Sequence, residues 1–158
     1  KYKKHIQWEI LSAFNNSDEA ITLLKENPRK ISWIWLCSNT SELAMDMVKT
    51  ELHTNPNNSM WENLSDIMWE NLAENQSLGA MEILEEHVDK IDWSILSGNP
   101  HPAAIKLLSK HLDKIDWDNL SQNPSAIHIL ENNPQIKLHL LESTIQEGIV
   151  ILKYEKSV

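Results

Sequence analysis

The residues of this chain that could do chemistry are few and widely spaced. His87 and His111 lie 24 residues apart, which would bring them to equivalent places in successive units of a repeating fold. A shared zinc ion needs ligands about 2 Å from the metal, whereas packed helices lie about 8–10 Å apart. Both histidines align with Asn27 and Asn55, so we interpret them as polar residues at helix C-termini. The sequence therefore predicts no metal site and no bound cofactor.

The other candidates for catalysis are a single cysteine and many carboxylates. Cys37 occupies a position that Ser or Ala fills elsewhere, which indicates packing rather than nucleophilic attack. Asp92 and Asp116 each precede a tryptophan, where a short acceptor side chain caps the first turn of a helix. The three glycines form no phosphate-binding loop, and no serine-hydrolase or zinc-protease motif is present. We therefore predict that the chain is not an enzyme.

A sequence repeat determines where these residues stand. The tetrapeptide KIDW occurs at Lys90–Trp93 and again at Lys114–Trp117, and a Leu-Ser pair and Asn-Pro recur after it. Similar tryptophan segments occur in about five copies, each followed by a second segment with apolar residues at i, i+1 and i+4, which is one face of a helix. A unit this short cannot bury its own apolar face, so it must stack on its neighbours.

The fold predicted from this repeat is all-α, namely an α-solenoid of short antiparallel helix pairs with a period of about 24 residues. It is ankyrin-like in having two helices per unit, but without β-hairpins. The repeat array spans residues 1–133, with an irregular third copy at 55–76, and residues 134–158 form a C-terminal cap helix and tail. The predicted core is the tryptophan and leucine of each copy: Trp8, Trp33, Trp61, Trp93, Trp117, Leu11, Leu36, Leu64, Leu96 and Leu120.

Polar and small residues mark the ends of the predicted helices. Asp92 and Asp116 are the expected N-caps of tryptophan helices. Asn99 and Asn123, each followed by proline, are expected to cap the second helix of their units. The position after the repeated leucine is small in every copy, as at Ser97, which lets neighbouring helices approach closely.

The composition limits the class of partner. The chain has 158 residues, a net charge of −9 and a single arginine, so it lacks the clustered cations that bind phosphates, and we predict no direct contact with nucleic acid. An acidic solenoid could instead bind basic partners. No apolar run approaches the roughly 20 residues of a membrane span. The single cysteine excludes an intrachain disulfide and is compatible with a reducing intracellular environment.

Six residues are predicted to contact a protein partner: Trp35, Trp69, Ile95, Asn119, Ile149 and Ile151. The two tryptophans are additional to the repeated ones, and Ile95 and Asn119 occupy a position that varies between copies. The two C-terminal isoleucines belong to an apolar segment, 148–154, that would be adhesive if exposed and could join another copy or an assembly. The leading hypothesis is a non-catalytic module for protein–protein interaction, and the alternative is a structural subunit of a large assembly, which the resemblance described next would make a virion.

The repeat unit can be written as NP-x-A-I-x-L-L-E followed by KIDW-x-x-L-S. Its matches here are Asn123-Pro124, Ala126-Ile127, Ile129-Leu130-Glu131 and Lys114–Trp117 with Leu120-Ser121, and weaker copies extend over Lys4 to Pro134. Tandem units of this form resemble the short repeats in many proteins of mimivirus-like giant DNA viruses. The resemblance implies a helical repeat fold, a viral origin and a location in the host cytoplasm or the virion. It assigns no activity and no functional residues.

Overall fold

A computed structural model describes residues 5–55 and 65–132, and every regular element in these two ranges is helical. The α-helices are α1 Trp8–Phe14, α2 Asp18–Glu26, α3 Trp33–Leu36, α4 Glu42–Thr54, α5 Ser65–Glu74, α6 Leu78–Glu86, α7 Trp93–Gly98, α8 Pro102–Lys110, α9 Trp117–Ser121 and α10 Ile127–Asn132. Short 3-10 helices at Pro28–Lys30, Val88–Lys90 and Leu112–Lys114 follow α2, α6 and α8. The all-α prediction is confirmed for this part of the chain. None of its helices has the length and apolar character needed to cross a membrane.

The helices alternate between two rows. The odd-numbered helices contact one another in the order α1, α3, α5, α7 and α9, and the even-numbered helices do so in the order α2, α4, α6 and α8. Each odd helix from α1 to α7 also contacts the even helix that follows it in the chain. Contacts therefore run both along each row and across each helix pair.

Side-chain caps fix where two of the odd helices, α7 and α9, begin. Asp92 accepts a hydrogen bond from the Ile95 N–H at 2.9 Å, and Asp116 accepts one from the Asn119 N–H at 3.0 Å, so both predicted N-caps are confirmed. The prediction that Asn99 and Asn123 cap the even helices that follow them is wrong, since α10 begins only at Ile127 and α8 only at Pro102. The N-cap of α8 is His101, whose ring accepts from the Ala103 N–H.

Most of the described core residues contribute to one hydrophobic cluster. The repeated leucine is fully buried at Leu36, Leu96 and Leu120 and half-buried at Leu11. The repeated tryptophan is half-buried and packs against the cluster at Trp8, Trp33, Trp93 and Trp117. Buried aliphatic residues of the even helices, such as Leu24 and Leu108, complete it. Trp61 and Leu64 lie outside the described residues.

The third unit is built around Trp69. This side chain is only 7% exposed, and its ring centroid lies 5.3 Å from that of His87, just as Trp93 lies 5.0 Å from His111. Both histidines are C-caps of even helices, as predicted. Trp69 is therefore the structural equivalent of Trp93. The expectation that Trp69 is an exposed partner contact is wrong, because α5 turns this side chain into the core.

Even helices are joined by contacts at their ends. Glu42, in the first turn of α4, accepts hydrogen bonds from the Leu78 and Gly79 N–H groups at 3.0 and 2.9 Å. A carboxylate of one unit thus satisfies free N–H groups at the start of α6 in the next unit. The close approach explains glycine at position 79, since a Cβ atom there would lie 2.6 Å from the Met45 Cβ.

Buried asparagines link successive units, and we call them the asparagine ladder: Asn39, Asn75, Asn99 and Asn123, each at most 4% exposed. Each Oδ1 accepts the backbone N–H two residues later, and each Nδ2 donates to two backbone carbonyls of the preceding unit. At Asn99 the two acceptors are the carbonyls of Ala73, at 2.7 Å, and Asn75, at 2.9 Å. Only an amide side chain of this length supplies both the two donors and the acceptor.

The small-residue position lies directly beside this ladder. Its members Ser12, Cys37, Ala73 and Ser97 are fully buried, and each gives its carbonyl to the ladder asparagine of the next unit. The Ser97 hydroxyl also donates to the Trp93 carbonyl at 2.7 Å and accepts from the Asp116 N–H at 3.0 Å. A larger side chain would separate backbones that must remain within hydrogen-bonding distance.

Candidate interaction surface

The side chains considered for chemistry are dispersed in the described part of the chain. Cys37 is fully buried, and burial raises the pKa of its thiol, which disfavours the reactive thiolate. His87 and His111 lie against different tryptophans, Trp69 and Trp93. Residues 5–55 and 65–132 contain no group of three His, Cys, Asp or Glu side chains placed to hold a metal ion. A functional site is better sought on the surfaces of the two rows.

The outward face of the odd row carries a position that differs from unit to unit. It follows each packed tryptophan by two residues, and we call its members the outer strip: Ile10, Trp35, Asn71, Ile95 and Asn119. Ile10 is 54% exposed and Trp35 is 43% exposed, whereas the other three side chains are half-buried. Three residues predicted to bind a partner, Trp35, Ile95 and Asn119, thus belong to one strip across successive helices.

The asparagines of the outer strip also join neighbouring helices. The Asn71 Nδ2 donates to the Ile34 carbonyl at 2.9 Å, and the Asn119 Nδ2 donates to the Ser94 carbonyl at 3.0 Å and to its hydroxyl at 2.9 Å. Neither amide Oδ1 receives a hydrogen bond from the described residues. These amides are therefore held in position with one acceptor still open.

Exposed apolar side chains are concentrated at the N-terminal end of the odd row. Ile10 and Phe14, on one side of α1, are 54% and 76% exposed, and Trp35 and Ile67 are 43% and 49% exposed. Helices α1, α3 and α5, which carry them, are consecutive neighbours in the row. The result is an apolar patch on a face that is otherwise polar.

Towards the C-terminal end, the outer strip borders an open groove. The groove has a volume of about 290 Å³ and is lined by Ile95 and Asn119 together with Glu74, Ser94 and Gly98, among others. It lies between helices α5, α7 and α9, so residues of three successive units shape it. The outer strip therefore continues from an apolar patch into a groove lined by both polar and apolar groups.

The charge on the odd row has one sign. Its five helices contain no Lys, Arg or His, but they contain Glu9, Asp66, Glu70, Glu74 and Asp118. The cap Asp116 adds a carboxylate, and hydrogen bonds from the Asn119 N–H and the Ser94 hydroxyl hold its pKa below the usual range. The outward face of α5 combines Ile67, Glu70, Asn71 and Glu74 at helical spacing.

The even row differs because it carries charges of both signs. Every Lys and Arg in the described part lies in an even helix or a 3-10 helix. Lys49 contacts Glu86 at 2.7 Å, and Lys110 pairs with Glu85, so cations of α4 and α8 both meet anions of α6, the even helix between them. These pairs lower the pKa of Glu85 and Glu86 and raise that of Lys49. The even row therefore neutralises part of its own charge.

Sequence reasoning missed two members of the outer strip, Ile10 and Asn71. Ile10 could have been found, since it follows Trp8 by the same two residues that separate Ile95 from Trp93. Asn71 was hidden because Trp61 was taken as the tryptophan of the third unit. The two remaining predicted contacts, Ile149 and Ile151, lie outside the described residues.

Known proteins provide no counterpart with which to compare this surface. No family model matches the chain, and neither a curated protein nor a solved structure matches it. What the outer strip can bind must therefore be inferred from its own residues.

Proposed function

We propose that the chain is an α-solenoid of stacked antiparallel helix pairs that serves as a non-catalytic protein-interaction module, with the outer strip as its binding face. One observation carries this proposal. The outer strip reads Ile, Trp, Asn, Ile, Asn along the row, whereas the ladder asparagine is the same in all four units that bury it. Constant buried residues that hold units together, beside outward-facing residues that vary, are the arrangement by which repeat proteins present a binding surface.

The rigidity of the support favours the same function. Ladder asparagines tie the units together from inside, and Asn71 and Asn119 tie neighbouring odd helices at the surface. A surface that is ordered before binding loses less conformational entropy when a partner docks. Trp35 adds a large exposed aromatic group of the type that dominates binding energy at interfaces.

Selection from a random peptide-display library tests the proposal. We expect enriched peptides to bind the parent chain and to lose binding to a double variant, Trp35→Ser with Ile95→Ser. The matched control carries Leu78→Ser with Leu112→Ser, two exposed apolar residues outside the odd row, and it should retain binding. Peptides that bind all three proteins equally, or the absence of any enriched peptide, would contradict the proposal.

A second candidate function, as a structural subunit of a virion or another large assembly, is favoured by Asn15, which holds the ladder position in the first described unit, at the end of α1. The Asn15 Oδ1 accepts the Ser17 N–H at 3.2 Å, but its Nδ2 has no acceptor among the described residues. Beside it, Phe14 is 76% exposed. A helical unit of another molecule stacked on α1 would supply the missing carbonyls and cover this ring. The viral origin implied by the sequence resemblance stays a prediction.

Sedimentation velocity over a wide concentration range separates the two functions. Assembly through α1 predicts that the chain associates as its concentration rises and that Phe14→Ser with Asn15→Asp abolishes this association. The double variant Trp35→Ser with Ile95→Ser, which is designed to lose peptide binding, should still associate. A chain that remains monomeric at every concentration would count against assembly through this end.

A further inference from the structure

From the charges and spacing of the odd row, and resting on the function proposed above, we infer that the partner is a basic peptide segment in an extended conformation. It lies across the odd helices along the outer strip, with an apolar side chain at about every third residue and lysine or arginine between them. The charge of the odd row indicates a basic segment, and the apolar patch indicates that the segment also carries apolar side chains. The spacing of the helices indicates one apolar side chain at about every third residue.

The charge of the odd row selects a cationic partner. Glu9, Glu70, Glu74 and Asp118 flank the outer strip without a lysine, arginine or histidine in the same helices. The even row, by contrast, pairs Lys49 and Lys110 with its own carboxylates. Complementary charge accelerates encounter with a basic segment and disfavours an acidic one.

The apolar patch requires more than charge from the partner. Ile10, Phe14, Trp35 and Ile67 are all more than 40% exposed and lie on three consecutive odd helices. A purely cationic chain would leave these side chains in water, whereas apolar side chains of a peptide would bury part of their surface. Cations can in addition stack on the Trp35 ring.

The spacing of the odd helices sets the period of the peptide. Packed helices lie about 8–10 Å apart, so we expect about the same distance between neighbouring positions of the outer strip, whose helices are in contact. A polyproline II segment rises about 9 Å in three residues and returns each third side chain to the same side. Its backbone groups have no internal partners, so its N–H groups are free to reach the Oδ1 atoms of Asn71 and Asn119, which accept no hydrogen bond from the described residues.

Fluorescence polarisation with four labelled peptides of twelve residues tests the inference. The probe consists of Lys-Leu-Lys triplets. The first control peptide consists of Glu-Leu-Glu triplets and the second of Lys-Ser-Lys triplets. The third has the same composition as the probe, but its leucines form one block between two blocks of lysines. We expect the probe to bind at least about tenfold more tightly than each control, and to weaken as salt screens the carboxylates.

Variants locate the binding site on the odd row. Trp35→Ala should weaken binding of the probe about tenfold. Glu70→Gln with Glu74→Gln should weaken binding and reduce its dependence on salt. Leu78→Ala and Glu82→Gln, exposed residues of the even row, serve as matched controls and should leave the affinity within about twofold, as expected for residues outside an interface. Far-UV circular dichroism of all variants should match that of the parent.

Three results would overturn the inference. One is equal affinity for the Lys-Leu-Lys and Glu-Leu-Glu peptides, and another is equal affinity for the Lys-Leu-Lys and Lys-Ser-Lys peptides. The third is an unchanged affinity of Trp35→Ala for the Lys-Leu-Lys probe. Failure of this inference is distinguishable from failure of the proposed function. If display selects acidic peptides whose binding still requires Trp35, the function stands and the partner class is wrong.

Discussion

The asparagine ladder and the outer strip are carried by the same series of units but differ in almost every physical respect. Asn99 is 3% exposed and its amide satisfies three backbone groups, whereas Trp35 is 43% exposed and projects from a four-residue helix. A buried amide tolerates no substitute because each partner would lose its hydrogen bond. An exposed side chain can change without disturbing the fold. Positions that hold the same residue in successive units therefore maintain the fold, and positions whose residue varies are the candidates for partner recognition.

The largest expected effect on stability comes from removing the side chain of one ladder asparagine. Asn99→Ala leaves two buried carbonyls and one N–H without their partner, and each such group costs about 1–3 kcal/mol, so the free energy of unfolding should fall by at least about 3 kcal/mol. Asn119→Ala, on the outer strip, should cost no more than about 1.5 kcal/mol. Urea denaturation followed by circular dichroism measures both. Similar losses in the two variants would remove the distinction between ladder and strip.

Trp69 and Trp35 test the same distinction, because the same type of side chain is buried at one position and exposed at the other. Trp69→Ala empties a buried site and should lower the free energy of unfolding by about 3–5 kcal/mol. Trp35→Ala should change it by about 0.5 kcal/mol or less, as at other surface positions. Thermal melting of the two proteins gives the comparison. A marked loss in Trp35→Ala would assign this residue to the fold instead of to recognition.

A smaller effect is expected from enlarging the position beside the ladder. Ser97→Leu should cost about 1–3 kcal/mol, because the added atoms force apart two units that share the Asn123–Ser97 hydrogen bond. Ser121 holds the same position in the last described tryptophan helix but is exposed, so Ser121→Leu should cost about 0.5 kcal/mol or less. Equal urea midpoints of Ser97→Leu and the parent would show that close approach is not required there.

The smallest effect concerns Asp116, which caps α9 and binds Ser94 beside the outer strip. Hydrogen bonds from the Asn119 N–H and the Ser94 hydroxyl lower its pKa in the folded state. The stabilisation is thus present above the unfolded pKa of about 3.9 and is lost as the pH falls through the lower folded pKa. Asp116→Asn should melt below the parent at pH 7, and the difference should shrink in acid. Asp113→Asn is the control, and an equal pH dependence in both variants would contradict this account.

Much of the architecture could be read from the sequence because helical periodicity and capping are local. The spacing of apolar residues predicted helices, and short side chains before Trp93 and Trp117 predicted where two of them begin. The helix ends at His87 and His111 were also predicted. Each of these features depends on residues within one or two turns of one another.

The ladder could not be predicted because its partners are distant in the sequence. Asn99 before proline has the pattern of a helix cap, and the acceptors of its Nδ2 lie 24 and 26 residues earlier. The same limit misplaced Trp69, whose ring lies against His87 at the end of α6, a residue distant in the sequence. The recurrence of asparagine in every unit was a usable signal, but it indicated a turn residue as readily as a link between units.

The hydrogen bonds of each ladder asparagine depend on which residues are its neighbours in space and not on how far apart these residues are in the sequence. Asn39 and Asn75 are 36 residues apart, yet the Asn75 amide meets the Cys37 and Asn39 carbonyls at 2.8 and 2.9 Å, much as ladder asparagines 24 residues apart do. Part of the extra chain lengthens α4, which has 13 residues where α2, α6 and α8 have nine. The additional residues of α4 thus leave the hydrogen bonds of the next ladder asparagine unchanged, so an even helix can be longer by a turn while neighbouring units keep their contacts.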